Sequence, residues 1–288
     1  MKIIVLGATG MLGYQVFKTC LERNITVKAV VRNKKLLTNH IGINIDSMVY
    51  EIDDIKNTNS LENLFKLFQA DYVINCIGIV KQSNLAQNFH ESIAINSLLP
   101  HQLEDLGRIY HFRLIHISTD CVFDGKSSNY KESDLSNAND LYGKTKYLGE
   151  VKYGTGITLR TSIIGHEITN KNIGLVDWFL SQSVSVKGYT KSIFSGLTTT
   201  ELTKIILDIV IKKEIESGLY QVASAPISKY DLLNLISIVY NKKINIIPSE
   251  ELIINRSLDG SRFSNIYSYQ VPSWPEMLIE MHKNFLAI

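Results

Sequence analysis

The chain has few cysteines, little excess charge and no extended apolar segment, and each of these shortages excludes a class of protein. Its 288 residues include three cysteines, Cys20, Cys76 and Cys121, an odd and widely spaced set that forms neither a disulfide framework nor a metal-site pattern. The net charge of +2, from scattered basic residues, is too small to indicate nucleic-acid binding, and the seven histidines lack the spacing of a zinc site. No apolar run is long enough to span a membrane, and the chain opens on a predicted strand with no room for a signal peptide. We therefore expect a cytoplasmic protein that binds no metal, nucleic acid or membrane.

Strand and helix patterns alternate as far as Arg160. Short runs rich in valine and isoleucine predict strands that are covered on both faces. The predicted strands are Lys2–Leu6, Thr26–Val31, Met48–Ile52, Tyr72–Cys76, Arg113–Ile117 and Ile157–Arg160, and the predicted helices are Met11–Arg23, Ser60–Phe68, Asn88–Tyr110 and Leu141–Tyr153. This alternation predicts an α/β fold with a Rossmann-type, doubly wound parallel sheet, whose ligand lies beyond the carboxyl ends of the strands.

The pattern loosens after Arg160 and predicts a smaller C-terminal lobe. The helices expected there are Leu175–Ser183, Thr198–Lys213, Ser228–Tyr240 and Glu276–Leu286, and the strands are Gly218–Ala223 and Lys243–Ile247. We expect residues 1–164, together with about 188–215, to form the Rossmann domain. Residues 165–187 and 216–288 are then expected to form a substrate lobe that is partly interleaved with it.

A glycine-rich turn directly follows the first predicted strand. The segment Gly7–Gly13 has the spacing G-x-x-G-x-x-G. Glycine lets the chain turn sharply and lets the backbone approach a ligand closely, and the helix N-terminus that follows favours a phosphate. The turn therefore predicts a dinucleotide site, although a strand–turn–helix without a ligand would look similar. The candidate contacts in this turn are Gly7, Thr9, Gly10, Met11 and Leu12.

A tyrosine and a lysine four residues apart follow the fifth strand. Tyr142 and Lys146 share one face of a predicted helix. An isolated tyrosine hydroxyl titrates near 10, and a nearby ammonium lowers that pKa towards working pH. Thr119, at the end of the fifth strand, could orient the same substrate oxygen. Each piece also has a simpler interpretation, as a helix surface pair or a helix cap, but the ordered set predicts protonation of a carbonyl oxygen while a nicotinamide delivers hydride.

These features together resemble the extended short-chain dehydrogenase/reductase family, and within it the dTDP-4-dehydrorhamnose reductase-like group. The resemblance covers the whole chain. The matching stretches are Gly7–Gly13, Ser118–Gly125, Tyr130, Glu132 and Asp134, Tyr142–Lys146 with Gly149 and Glu150, and Leu159–Ser162.

The resemblance implies an NAD(P)H-dependent reductase of a keto sugar attached to a nucleoside diphosphate, which would serve surface polysaccharide synthesis. It implies Tyr142 as the proton donor, Lys146 as its tuner and a ribose ligand, and Thr119 as the orienting hydroxyl. Asn96 matches an asparagine that supports the lysine and a water in this family. By the same resemblance the C-terminal lobe binds the sugar nucleotide.

The chain departs from this group at positions expected to line the sugar pocket. Cys121 stands where the group usually has tyrosine, and Ile163 where it usually has tryptophan; Ala138 lies near a usual proline. The loss of aromatic surface suggests a sugar of different shape. Two substrates remain open, dTDP-4-keto-rhamnose and a UDP-linked 4-keto-6-deoxy-N-acetylhexosamine.

The second strand is followed by basic residues where an NAD-selective site carries an acidic one. Arg32 begins this basic turn and can bind a ribose 2′-phosphate through its planar fork, so NADPH is favoured and NADH left open. A solvated basic turn is the alternative interpretation. Further cofactor candidates follow the third and fourth strands: Asp54, Ile55, Cys76, Ile77 and Gly78.

The remaining candidates concern the substrate. Lys81 and Gln82 follow the fourth strand and could reach the sugar or cofactor, and Arg256 could hold a pyrophosphate or form a surface ion pair. Asp120, Cys121 and Ser162 complete the predicted substrate set. Two other functions stay open: an epimerase or dehydratase with bound NAD, the dehydratase being disfavoured because no glutamate follows Asp120, and a non-catalytic nucleotide-binding regulatory subunit. The assembly is open, with a homodimer as the candidate.

Overall fold

The computed structural model describes residues 1–41, 44–57, 59–81, 85–169 and 172–286. The chain forms two compact units, each assembled from separate stretches of sequence. The first unit comprises Met1–Ser118, Asn139–Leu159 and Ile215–Leu219, and the second comprises Thr119–Ala138, Arg160–Glu214 and Tyr220–Ile288. The predicted domain boundaries divide the chain differently and stay a prediction.

A seven-stranded sheet with flanking helices dominates the fold. Seven of the described strands form this sheet. In chain order, all the described strands are β1 Lys2–Leu6, β2 Thr26–Val31, β3 Val49–Glu51, β4 Tyr72–Asn75, β5 Arg113–Thr119, β6 Ile157–Thr161, β7 Ile163–Ile164, β8 Ser185–Tyr189, β9 Ser192–Phe194, β10 Leu197–Thr198, β11 Gly218–Gln221, β12 Ile227–Ser228, β13 Asn245–Ser249 and β14 Ile254–Asn255. The sheet order is β11-β6-β5-β4-β1-β2-β3, and β1 pairs in parallel with both β2 and β4. The strand order reverses direction beside β1, as in doubly wound folds, so the predicted fold class is confirmed.

Helices alternate with these strands along the chain. They are α1 Met11–Glu22, α2 Lys34–Ile41, α3 Asn59–Phe68, α4 Phe89–Ser92, α5 Leu99–Tyr110, α6 Leu141–Leu148, α7 Leu175–Ser181, α8 Thr199–Lys204, α9 Lys229–Val239, α10 Ser261–Tyr267 and α11 Trp274–Leu286. Among the described helices, none is both long and apolar enough to cross a bilayer.

The hydrophobic core of the first unit explains why the strands are nearly continuous apolar runs. Leu6 of β1 and Val73 of β4 belong to one buried cluster with Phe65 of α3 and Leu103 of α5. Removing this apolar surface from water stabilises the unit by roughly 25 cal/mol per Å². The apolar strand residues therefore pack in the core. The polar residues at the strand ends are the ones that remain available for function.

The sequence patterns place the main elements but miss several local ones. The helix expected over Asn88–Tyr110 is α4 and α5 joined by a π-helical segment, Ile93–Leu98. The helix expected over Leu141–Tyr153 ends at Leu148, where Gly149 is the C-cap and packs so closely on Asn96 that a Cβ there would lie 1.9 Å from the Asn96 carbonyl oxygen. Helix α2 was not expected at all; Asn33 opens it by accepting a hydrogen bond from Leu36 N–H at 3.3 Å.

Candidate active site

The glycine turn after β1 is as tight as its sequence predicts. Gly7 has φ +78°, a left-handed conformation that favours glycine, and the amide of Gly10 donates to the Gly7 carbonyl at 2.9 Å. A Cβ on Gly13 would lie 2.3 Å from the Gly7 oxygen. The turn can therefore be this tight only because Gly7 and Gly13 carry no side chain.

The turn delivers the chain to the N-terminus of α1. Gly10 is the N-cap residue, and no side chain caps the helix there. Thr9 and Met11 are half-buried and Leu12 is buried, so backbone rather than side chain dominates the mouth of the turn. Amides without a side-chain cap and a helix dipole behind the exposed Gly10 are the features that suit a dinucleotide pyrophosphate.

The end of β2 carries a cation at the surface. Arg32 is exposed and directly follows Val31. Lys34, two residues on, is held in an ion pair with Asp46 at 3.1 Å. Arg32 is thus the better placed of the two for a 2′-phosphate, in agreement with the predicted preference for NADPH.

The predicted cofactor residues at the ends of β3 and β4 offer mostly backbone atoms to the candidate site. Asp54 is exposed and accepts a hydrogen bond from Lys56 N–H at 3.0 Å, while Ile55 is buried. Burial raises the pKa of the Cys76 thiol to about 12, so this side chain stays a thiol. Ile77 packs on the glycine turn, where a Cβ on Gly7 would lie 2.9 Å from its Cγ1.

Asn96 joins the segment after β4 to helix α6. Its Oδ1 accepts from Ile79 N–H at 2.9 Å, and its Nδ2 donates to the Ile79 carbonyl at 3.1 Å and to Thr145 Oγ1 at 3.3 Å. The side chain is fully buried on the π-helical segment. A β-carbon added to Gly78 would lie 3.5 Å from Asn96 Oδ1 and 3.9 Å from Lys146 Nζ. Asn96, Gly78 and Lys146 are therefore neighbours.

Helix α6 carries the predicted proton donor and its lysine. Asp140 caps the helix by accepting from Gly143 N–H at 2.9 Å. Tyr142 is half-buried and lies one helical turn before Lys146, which is buried. Lys146 Nζ donates to the Ile117 carbonyl of β5 at 2.7 Å, and burial lowers the pKa of Lys146 to about 8.

Thr119, the third predicted catalytic residue, ends β5 and belongs to the second unit. Its hydroxyl donates to Asp120 Oδ1 at 3.1 Å and accepts from Cys121 N–H at 3.2 Å. These bonds fix the side chain at the start of a short 3₁₀ turn, Asp120–Val122. Tyr142 and Lys146 lie one turn apart on α6 of the first unit, and the convergence of the three side chains stays a prediction.

The second unit gathers predicted substrate residues around Cys121. Arg256 donates from Nε to the Phe123 carbonyl at 2.7 Å and lies with Nη1 3.7 Å from Cys121 Sγ. Lys229, at the start of α9, places its Nζ 5.0 Å from the centre of the Phe194 ring. Burial lowers the pKa of Lys229, and Asp120 opposes that shift. The thiol therefore shares its surroundings with two cationic side chains.

Three other predicted residues are less tied to this region. Lys81 is exposed and forms an ion pair with the helix cap Asp140 at 2.9 Å. Ser162 is half-buried, and its carbonyl accepts from Leu197 N–H at 2.8 Å. Gln82 lies outside the described residues. Within the described ranges no cluster of three or more histidine, cysteine or acidic side chains could hold a metal ion.

Three polar residues near these sites were not singled out from the sequence. Asn75 and His116 are fully buried in β4 and β5, and Lys229 lies beside Phe194. A histidine inside an apolar strand was the available signal for His116, because a buried polar group needs a partner. Lys229 gave no such signal, since a lysine at a helix start is ordinary.

Comparisons with known proteins show which family and fold this chain resembles. A family model described as RmlD substrate binding domain matches residues 1–285. A dTDP-4-dehydrorhamnose reductase of Aggregatibacter actinomycetemcomitans is 23% identical, over 96% of this chain and 97% of its own length. The beta subunit of methionine adenosyltransferase 2 from Bos taurus is 26% identical over 52% of this chain and 41% of its own. The crystal structure of a dTDP-4-dehydrorhamnose reductase from Bacillus anthracis in complex with NADP is similar in fold, with a TM-score of 0.79, 19% identity and coverage of 98% and 99%.

Proposed function

Because this chain belongs to the RmlD substrate binding domain family, we propose that it reduces the 4-keto group of a nucleotide-activated 6-deoxy sugar with NADPH. The family match confirms the predicted resemblance, and with it the predicted enzyme class, a nicotinamide-dependent oxidoreductase. The observation that carries the specific reaction is the pairing on α6 of Tyr142 with Lys146, whose buried Nζ is held by the Ile117 carbonyl at 2.7 Å.

The first unit offers the parts that a dinucleotide needs. Its pyrophosphate would lie at the glycine turn and the N-terminus of α1, and its 2′-phosphate beside Arg32. The exposed, Cβ-free backbone of Gly78 would let it approach the end of β4 closely. Bound NADPH supplies a hydride, which no side chain can provide.

The chain's own residues handle the proton. The Tyr142 hydroxyl donates its proton to the substrate oxygen as negative charge develops there. The Lys146 ammonium stabilises the phenolate that remains, since the two side chains lie one helical turn apart. Asn96 holds Thr145 and Ile79 in place around this lysine. Thr119 would hydrogen-bond the same substrate oxygen and keep it in line.

Two substrates fit the proposal, dTDP-4-keto-rhamnose and a UDP-linked 4-keto-6-deoxy-N-acetylhexosamine. Cys121, beside Arg256 and close to the charge of Lys229, gives this part of the second unit a small and polar surface. Both sugars carry polar ring substituents that suit such a surface, so both stay candidates. Either product would supply the synthesis of a surface polysaccharide.

The decisive experiment follows NADPH absorbance while purified protein is offered dTDP- and UDP-linked 4-keto sugars. We expect stoichiometric NADPH loss with at least one of them. No turnover on any member of the panel would contradict the proposal. Tightly bound NAD together with turnover that needs no added NADPH would instead indicate an epimerase or dehydratase.

Replacing the tyrosine tests the chemical step. Tyr142→Phe removes the proton donor and leaves the ring, so we expect kcat to fall about 10²–10⁴-fold while NADPH still binds. Tyr147→Phe is the matched control on the same helix, where the ring packs under Lys152 instead, and it should keep its activity.

A second candidate function is a non-catalytic regulatory subunit, which the partial likeness to a methionine adenosyltransferase beta subunit favours. Such a protein has no use for a proton donor. If the wild-type protein reduces no keto sugar and Tyr142→Phe leaves nucleotide and partner binding unchanged, that function replaces the reductase.

A further inference from the structure

A row of three buried polar side chains lies behind helix α6 in the first unit. Asn75 Nδ2 is 3.1 Å from His116 Nδ1, and His116 Nε2 is 3.5 Å from Lys146 Nζ. Asn75 and His116 are fully buried and Lys146 is nearly so. Buried polar groups must satisfy one another, so the proton positions along the row depend on each other.

The amide of Asn75 has only one orientation that pairs all its neighbours. Its Oδ1 accepts from the Ile77 N–H at 3.1 Å, which only an oxygen can do. The NH₂ group must therefore face His116 Nδ1, and that nitrogen must accept. A neutral imidazole that accepts at Nδ1 carries its proton on Nε2, the nitrogen that faces Lys146.

This arrangement acts on the charge of Lys146. An ammonium has three N–H donors and no lone pair, so the Nε2–H of His116 opposes it, whereas an uncharged amine accepts that hydrogen. We propose that His116 is a positioning residue that holds Lys146 near the balance between ammonium and amine. The coupling itself stands on the first unit's geometry, and its catalytic meaning rests on the proposed function.

Other groups around Lys146 shift its pKa in opposite directions. Burial lowers the pKa of Lys146, while Glu150 and Cys76 oppose that shift. Glu150 is itself engaged by Ser118 Oγ at 2.8 Å and by Lys152 at 3.2 Å. The pKa of His116 is well below its ordinary value because of burial, Lys146 and His101, so His116 stays neutral and acts through its N–H dipole.

The pH dependence of the proposed reaction follows with a definite sign. Lys146 stabilises the Tyr142 phenolate only as an ammonium, and that charge is lost as pH rises through the Lys146 pKa of about 8. The activity should therefore fall on the alkaline side of that value. Removing the opposing N–H of His116 should extend the active range to higher pH.

The proton position can be tested in the wild-type protein without a variant. Long-range ¹H–¹⁵N NMR of ¹⁵N-histidine-labelled protein distinguishes the two imidazole tautomers. We expect His116 to carry its proton on Nε2 and to show no titration between about pH 6 and 9. A proton on Nδ1, or a cationic ring in this range, would overturn the inference even if no variant folds.

The coupling is tested with His116→Asn. The asparagine oxygen can replace Nδ1 as the acceptor for Asn75, but nothing replaces the Nε2–H that faces Lys146. We expect the Lys146 midpoint, read from ¹³Cε-lysine NMR and assigned with Lys146→Met, to rise by about one unit. The alkaline limb of kcat/KM should move in parallel. A midpoint that stays at the wild-type value in a folded variant would contradict the inference.

The matched control is His101→Asn, which changes a histidine that binds the Leu148 carbonyl at the end of the same helix. It should leave the Lys146 midpoint within a few tenths of a unit. The outcomes also separate the two claims. If the Lys146 midpoint moves in His116→Asn but the wild-type protein reduces no keto sugar, the proposed function fails and the coupling holds. If the wild-type protein reduces a keto sugar but the Lys146 midpoint does not move in His116→Asn, the coupling fails and the proposed function holds.

Discussion

Arg32 is the residue by which we expect this chain to distinguish two nearly identical cofactors. It is exposed directly after β2, and its neighbour Lys34 is paired with Asp46 at 3.1 Å. NADPH and NADH differ by one ribose 2′-phosphate. A guanidinium binds such a group through two parallel hydrogen bonds, a geometry that a lysine cannot reproduce.

Arg32→Glu should therefore reverse the cofactor preference. A carboxylate repels the 2′-phosphate and can accept from a ribose 2′-hydroxyl, so we expect the NADPH Kd to rise about 10–100-fold relative to the NADH Kd. Titration of intrinsic fluorescence with each cofactor measures both. Lys35→Glu makes the same charge change on an exposed neighbour and should shift the ratio far less. If Arg32→Glu and Lys35→Glu change the ratio of the NADPH and NADH Kd values equally, the cofactor preference arises from net charge alone.

Among the elements around the glycine turn, two glycines serve different purposes. Gly13 lies inside α1 and touches the backbone of Gly7, whereas Gly78 follows β4 in an open position. The first glycine is needed for the fold itself. The second is needed only if a ligand approaches the chain there.

The two glycines can be separated by alanine substitution. Gly13→Ala places a Cβ 2.3 Å from the Gly7 oxygen, so the backbone must shift and the free energy of unfolding should fall by about 1–3 kcal/mol. Gly78→Ala meets its nearest atom at 3.5 Å and should unfold like the wild type, while its NADPH Kd rises about tenfold. Thermal unfolding and cofactor titration check both. A Gly13→Ala protein as stable as the wild type would contradict the tight turn.

At the scale of the whole molecule, the two units differ in the chemistry they offer. The first carries the glycine turn, Arg32 and the Tyr142–Lys146 pair. The second carries Thr119, Cys121 and Arg256. We therefore expect substitutions in the first unit to change cofactor binding or the pH profile, and substitutions in the second to change the use of the sugar nucleotide.

Arg256→Gln tests this division. Arg256 is half-buried beside Cys121 and can form charge-assisted hydrogen bonds to a substrate, so its loss should raise the KM for the sugar nucleotide about 10–100-fold. The NADPH Kd should stay at the wild-type value. Arg262→Gln is the matched control in the same unit, where the guanidinium lies over the Tyr220 ring, and it should leave KM unchanged. If Arg256→Gln changes the NADPH Kd and leaves the KM for the sugar nucleotide unchanged, this division of roles between the two units is contradicted.

The fold and the outline of the site were predictable because their signals are local. Valine and isoleucine runs identify β1, β2 and β4 through burial on both faces, and the glycine spacing identifies the turn because only glycine adopts the φ of Gly7 without strain. Tyr142 and Lys146 were predictable as neighbours because one helix contains both. The position of Arg32 was predictable for the same reason, since it is the next residue after a recognisable strand; its role stays a prediction.

Contacts between distant residues were decided only by the tertiary structure. Gly149 approaches Asn96, more than fifty residues away in sequence, so closely that no Cβ fits there, and no propensity records such an approach. The tautomer of His116 depends on Asn75, Ile77 and Lys146, which three separate elements bring together. The order of residues along the chain sets which chemical groups this protein has available and along which strands they lie. Packing decided which of them meet and therefore which are charged, because burial and partners set a pKa and both arise only when the chain has folded.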